Sequence, residues 1–288
     1  MKKKIVVIGG GASHVSINAL KQNLDLFDIS AIISMSDSGG SSGRLRKEFD
    51  TLPPGDILRA ILAMSPYDFE MLRKMFNKIR FSNSGKLDNH NLGNLFLTFA
   101  QQYSGSYLDG VRALEQAIDA VGKVYPTTLD KTDLVVELSN GDIIRTEGII
   151  DRPDYNKSLK IKKAWLEPVG ELFAGAKQII EEADYIVVSN GSLYCSLIAT
   201  LLPTGMSETI NNSKAKLVYV IGDAYELNGE SGAETLSEFV TQLENYLPRQ
   251  LDLVLYNNIG LNDKQKEYYK NKQWAEIKKD IENLPDHN

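Results

Sequence analysis

Residues 4–35 constrain the architecture more tightly than any other stretch of the chain. A β-branched run, KIVVI at 4–8, ends in Gly9-Gly10-Gly11; a helical pattern then runs to about Leu24, and a second apolar run, ISAIISM, fills 29–35. Strand, glycine turn, helix and strand in that order open a doubly wound, mostly parallel α/β sheet with helices on both faces. In such sheets ligands bind beyond the carboxyl ends of the strands.

The pattern recurs downstream. ILRAILAMS after residue 56, residues 68–80 and residues 91–102 read as helices, and strand signals return at 184–189 and 216–221, with a last one at 251–257. The exception is 123–165, where DLVVELSNGDIIRTEGII alternates with period two about Asn140-Gly141, a strong hairpin signal. We therefore expect one domain over 1–288 with an antiparallel β insert at 123–165. From 263 on, the Lys-, Glu-, Asp- and Asn-rich tail reads as a solvated helix.

Charge and cysteine usage narrow the function. A net charge of −6 and 42% hydrophobic content across 288 residues argue for a large buried core and against a nucleic-acid surface, which usually carries a basic excess. The apolar run after the first three lysines is too short for a signal peptide and no stretch approaches membrane-spanning length, so a cytoplasmic protein without membrane insertion is expected. With Cys195 as the single cysteine, any metal should be hard and oxygen-bound.

Chemistry concentrates in residues 34–59, SMSDSGGSSGRLRKEFDTLPPGDILR. Gly39, Gly40 and Ser41 can turn backbone N–H groups toward phosphate oxygens, Arg44, Arg46 and Arg59 add charge, and Asp37 and Asp56 offer the oxygen ligands that magnesium requires. Asp56, after Pro54 and Gly55, also stands where a helix N-cap belongs. His90 precedes a helix whose first turn carries Asn91, Gly93 and Asn94, with Gly93 expected to allow close ligand approach. Asn190, Gly191 and Ser192 open another helix as a second anion cradle. The turn at 9–14 fits a dinucleotide fingerprint only at Gly9 and Gly11, since the third glycine is His14, and no acidic residue stands at the usual distance. NAD is disfavoured on both counts.

Taken together, VVIGGG near the start, the Asp37–Arg46 run, PPGDI at 53–57, the His90–Asn94 element, GSLY at 191–194 and NGES at 228–231 resemble the YvcK/CofD-like family. That family includes bacterial gluconeogenesis-factor proteins and 2-phospho-L-lactate transferases; SSGRLR with PPGDI points to the YvcK branch. The resemblance implies a Rossmann-like nucleotide-binding fold, and places nucleotide contacts on Gly10, Gly11, Asp37, Gly39, Gly40, Ser41, Arg44, His90, Asn94, Gly191 and Ser192. The chain departs from the family pattern at Ala12-Ser13, at Ser38 in place of a second aspartate, at Asn89 and Asn91, and at Ser189-Asn190.

Two functions are carried forward. One is a YvcK-like binder of a nucleotide sugar of the UDP-N-acetylglucosamine type, regulating carbon metabolism and cell shape and making no bond, since no nucleophile with a paired base is evident. The other is a CofD-like magnesium-dependent transferase acting on a nucleoside-diphosphate-linked donor, with Asp37, Asp56 and Arg44 as candidate catalytic residues and Asp37 and Asp56 holding the metal. A homo-oligomer would account for the Leu- and Phe-rich helix at 91–102, and so would core burial.

Overall fold

A computed structural model describes residues 1–284. Its strands are β1 (Lys3–Gly9), β2 (Phe27–Ile33), β3 (Lys123–Pro126), β4 (Asp133–Leu138), β5 (Ile143–Arg145), β6 (Ile161–Glu167), β7 (Tyr185–Val188), β8 (Lys216–Val220), β9 (Ala224–Glu226), β10 (Leu253–Leu255) and β11 (Trp274–Glu276). Six of them form the main sheet in the order β10-β8-β7-β1-β2-β3, every neighbouring pair parallel. The chain starts at the centre, winds outward through β2 and β3, then returns to the other side of β1. Strand order therefore reverses between β1 and β7, the position where doubly wound folds open a crevice.

The sequence of β1 shows why it lies at the centre. Ile5 and Val7 enter the core on one face while Val6 and Ile8 enter the core on the other, as alternation in a strand covered on both sides requires. The first core is covered by helices α1 (His14–Lys21), α3 (Gly55–Met64), α4 (Phe69–Arg73), α5 (Leu92–Ser104) and α6 (Tyr107–Ala117), with Ile57, Leu58, Ile61, Leu97, Val111 and Leu114 buried there; α2 (Gly40–Phe49) packs against α5. Residues 193–201, helix 236–244 and the strands β4 and β6 cover the other face.

Three expectations shift. Lys123–Pro126 is a parallel edge strand paired with β2, because Lys123 to Pro126 run alongside Ser30 to Ile33; the antiparallel insert begins at Asp133, with order β5-β4-β6. Its hairpin turns at Asn140-Gly141 as read, Gly141 taking φ +91°. The helix read at 68–80 spans 69–78 and changes type within it: α4 ends at Arg73 and runs directly into a π-helical stretch, Lys74–Lys78. The tail helix Asp263–Lys272 buries no side chain, yet the chain beyond it returns as β11 to pair with β9; residues 285–288 lie outside the described residues.

Candidate functional site

All six parallel strands deliver their carboxyl ends to one edge, and the loops after β1, β2 and β7 meet there. Gly191 packs beside Ala12, whose Cβ lies 3.7 Å from the position a Cβ on Gly191 would take. A Cβ on Gly10 would lie 2.5 Å from Ser196 Oγ and 2.9 Å from Asp56 Oδ2, and one on Gly11 would lie 2.1 Å from the Arg59 guanidinium carbon. Close approach therefore demands glycine at Gly10, whereas at Gly11 the neighbour is the movable end of Arg59: the turn after β1 is pressed against α3 on one side and the segment after β7 on the other.

The turn after β2 builds the acidic wall. Asp37 Oδ1 accepts the N–H of Gly39 at 2.9 Å, which sets Gly39 as the N-cap of α2; Gly40 follows at φ +45° with nothing within 4 Å of its missing Cβ. Asp56 does not cap α3. It lies inside the first turn, with Pro54 at the cap position, and its carboxylate is ion-paired to Arg59 one turn on. The sequence signal was right about a helix start and one or two residues out on its boundary.

Glu147, which sequence reasoning missed, completes this wall. Within the insert, between β5 and β6, lies α7 (Glu147–Asp151), whose Glu147 Oε2 accepts the Ser38 N–H at 3.1 Å while Ser38 Oγ accepts the Gly148 N–H at 2.8 Å. Burial, reinforced by Asp56, pushes the Asp37 carboxyl up to about 6; burial, reinforced by Asp37, pushes Glu147 up to about 9. A carboxyl 109 residues away in sequence leaves no local signal.

A neutral hydrogen-bond chain joins α2 to the start of α5. Asn94 Nδ2 donates to Ser41 Oγ at 3.0 Å, so the Ser41 hydroxyl is free to donate to His90 Nδ1, 2.8 Å away. Burial, with Arg44 nearby, pushes the His90 pKa down, which keeps the ring a neutral acceptor. Gly93 serves a different purpose from the one expected: a Cβ there would lie 2.5 Å from Leu58 Cδ2, so it lets α5 pack on α3.

The cradle at Ser192 is already filled. The backbone N–H groups of Tyr194 and Cys195 donate to the Glu230 carboxyl at 3.0 and 2.9 Å, so the NGES segment itself supplies an acceptor to the start of this helix. Cys195 is buried.

The arginines divide. Arg59 lies against Gly11; Arg44 is exposed and donates to the Asp88 carbonyl at 2.8 Å. Arg46 points away into the insert, donating to the Thr132 carbonyl at 2.9 Å and pairing with Asp133 at 3.0 Å. Its role is to fasten the turn after β2 to β4. Arg46→Ala should therefore lower stability in urea unfolding by about 1–3 kcal/mol, the cost of leaving such partners unpaired, with ligand affinity nearly unchanged; an unchanged unfolding midpoint would remove that role.

Comparison with known proteins follows the same outline. A sequence profile described as 2-phospho-L-lactate transferase CofD matches residues 5–288. The chain belongs to the CofD family. Within it, the chain is 31% identical to the gluconeogenesis factor of Bacillus subtilis over 98% of its own length and 87% of the relative's. It is 35% identical to that of Halalkalibacterium halodurans over 85% of its length and 74% of the relative's. A crystal structure of a Bacillus halodurans protein superposes with a TM-score of 0.88 at 31% identity, covering 99% of this chain and 89% of that one. The family resemblance read from the motifs is thus shown, and so is the parallel α/β architecture. No helix among the described residues is long and apolar enough to cross a membrane.

Proposed function

We propose that the protein binds a nucleotide sugar of the UDP-N-acetylglucosamine type in the crevice between β1 and β7 and acts through that binding in carbon metabolism and cell-envelope control. One observation carries the reading: at the reversal of strand order, two glycine turns approach each other, with Arg59 laid across one of them. Backbone N–H groups and a guanidinium in such a crevice suit a diphosphate, and the Ser41–His90–Asn94 chain suits hydroxyl groups beside it.

Thermal unfolding in the presence of UDP-N-acetylglucosamine tests this reading. Ligand at 100 times its Kd stabilises by about 2.7 kcal/mol, several degrees in midpoint; no shift at millimolar ligand would overturn it. Arg44→Ala should weaken the nucleotide sugar at least tenfold and leave uridine and free N-acetylglucosamine unaffected. Equal losses for phosphorylated and unphosphorylated probes would show that Arg44 does not meet phosphate.

A transferase is the second reading, favoured by the acidic wall. Asp37, Asp56 and Glu147 present only oxygen donors, with Arg59 paired to Asp56, a set that fits a hard divalent cation such as magnesium. Asp37 and Asp56 would hold it, and the ion would polarise a phosphoryl oxygen. Magnesium-dependent release of a nucleoside monophosphate from a mixed diphosphate donor, lost in Asp37→Asn, would favour transfer over binding alone.

A further inference from the structure

Two guanidinium groups converge on the turn that precedes α5. Arg44, from α2, donates to the Asp88 carbonyl at 2.8 Å, and Arg80 donates to the Asn89 carbonyl at 3.3 Å, so side chains from separate elements hang on successive peptide groups. The next residue is His90, bonded to Ser41. Among the described residues, every other arginine lies within 4.0 Å of a carboxylate oxygen; Arg44 and Arg80 have only backbone carbonyls. Burial lowers the Arg80 pKa, and repulsion from Arg44 and Arg59 adds to it.

Uncompensated like charges held beside one another cost energy in the empty protein, an arrangement that an arriving anion relieves. A second, independent observation lies one residue on. Asn91 is fully buried and spends its side-chain oxygen on the N–H of Asn94, while its amide nitrogen, a donor, has no acceptor; the Asn94 oxygen is also unpartnered. Buried amide groups left unpaired are rare and mark places where a partner is missing.

We propose that Arg80 is a direct ligand of the phosphate-bearing molecule and forms with Arg44 a two-arginine clamp on its phosphoryl oxygens. The clamp rests on the nucleotide reading above and sharpens it. Paired planar guanidinium groups match a group that offers two or more free oxygens, so the ligand class is a diphosphate or a terminal phosphate rather than a neutral sugar or nucleoside. Arg80 thereby takes the part that the sequence pattern gave to Arg46, which the insert has withdrawn.

Inorganic pyrophosphate, titrated calorimetrically at constant ionic strength into wild type, Arg80→Gln, Arg80→Lys and Lys86→Gln, provides the test. Lys86→Gln removes the same charge from the same exposed turn. Expected are a loss of at least tenfold in Arg80→Gln, partial recovery in Arg80→Lys, a change under twofold in Lys86→Gln, and an unliganded melting midpoint in Arg80→Gln no lower than wild type, since the exchange removes one of two like charges. Wild-type affinity in Arg80→Gln, or equal losses in Arg80→Gln and Lys86→Gln, would overturn the clamp and leave the nucleotide reading standing. Wild-type protein that takes up neither pyrophosphate nor the nucleotide sugar would overturn both.

Discussion

Gly43→Ala is expected to break the site rather than strengthen the helix that carries it. On an exposed helix the exchange gains about 0.5–1 kcal/mol, because glycine loses more backbone freedom on folding. In α2, however, the new Cβ would lie 1.9 Å from the Ser38 carbonyl oxygen and 2.6 Å from its carbon. Backbone cannot rotate aside as a side chain can. Ser38 must move, and its N–H to Glu147 and its hydroxyl to Gly148 move with it. Overpacking of this kind costs about 1–3 kcal/mol or more, so the melting midpoint should fall by several degrees and affinity for the nucleotide sugar should fall at least tenfold. A variant as stable as wild type would show that the turn after β2 is not held as described.

Glu147→Gln should change how stability depends on pH. In the folded chain Glu147 holds its proton to about pH 9 and Asp37 to about pH 6, chiefly through burial, whereas unfolded carboxyls release theirs near pH 4. Between these limits the folded state binds more protons than the unfolded one, so stability is full below about pH 4 and declines as pH rises toward 9. Glutamine carries no charge at any of these pH values and retains an oxygen for the Ser38 N–H. Melting curves from pH 4.5 to 9 in a chelator should therefore coincide at the acid end and diverge at the alkaline end, the variant standing several degrees higher at pH 9. Parallel profiles would mean that Glu147 titrates normally and that the acidic wall is open to water.

Both expectations depend on the insert, and the insert shows where sequence reading reaches its limit. Asn140-Gly141 announces a hairpin because a tight turn must place residues at positive φ, a purely local demand. That the same unit delivers Glu147 against Ser38, and draws Arg46 away toward Asp133, follows from packing between segments about a hundred residues apart. Gly93 teaches the same lesson: a glycine at a helix start reads equally well as room for a ligand or room for a neighbouring helix, and only the position of Leu58 decides.

By itself the sequence determined the parallel α/β class, the glycine turns that end β1 and β7, and the short polar and charged residues that stand in those turns. Each is set by backbone geometry or by alternation of apolar residues within a few positions. Tertiary structure alone decided which charges face the crevice. It paired Arg59 with Asp56, closed the Ser192 cradle with Glu230, withdrew Arg46, and set Arg80 beside Arg44. Side-chain charge is written in the residue type, but its direction and its partner depend on which distant segment folds against it.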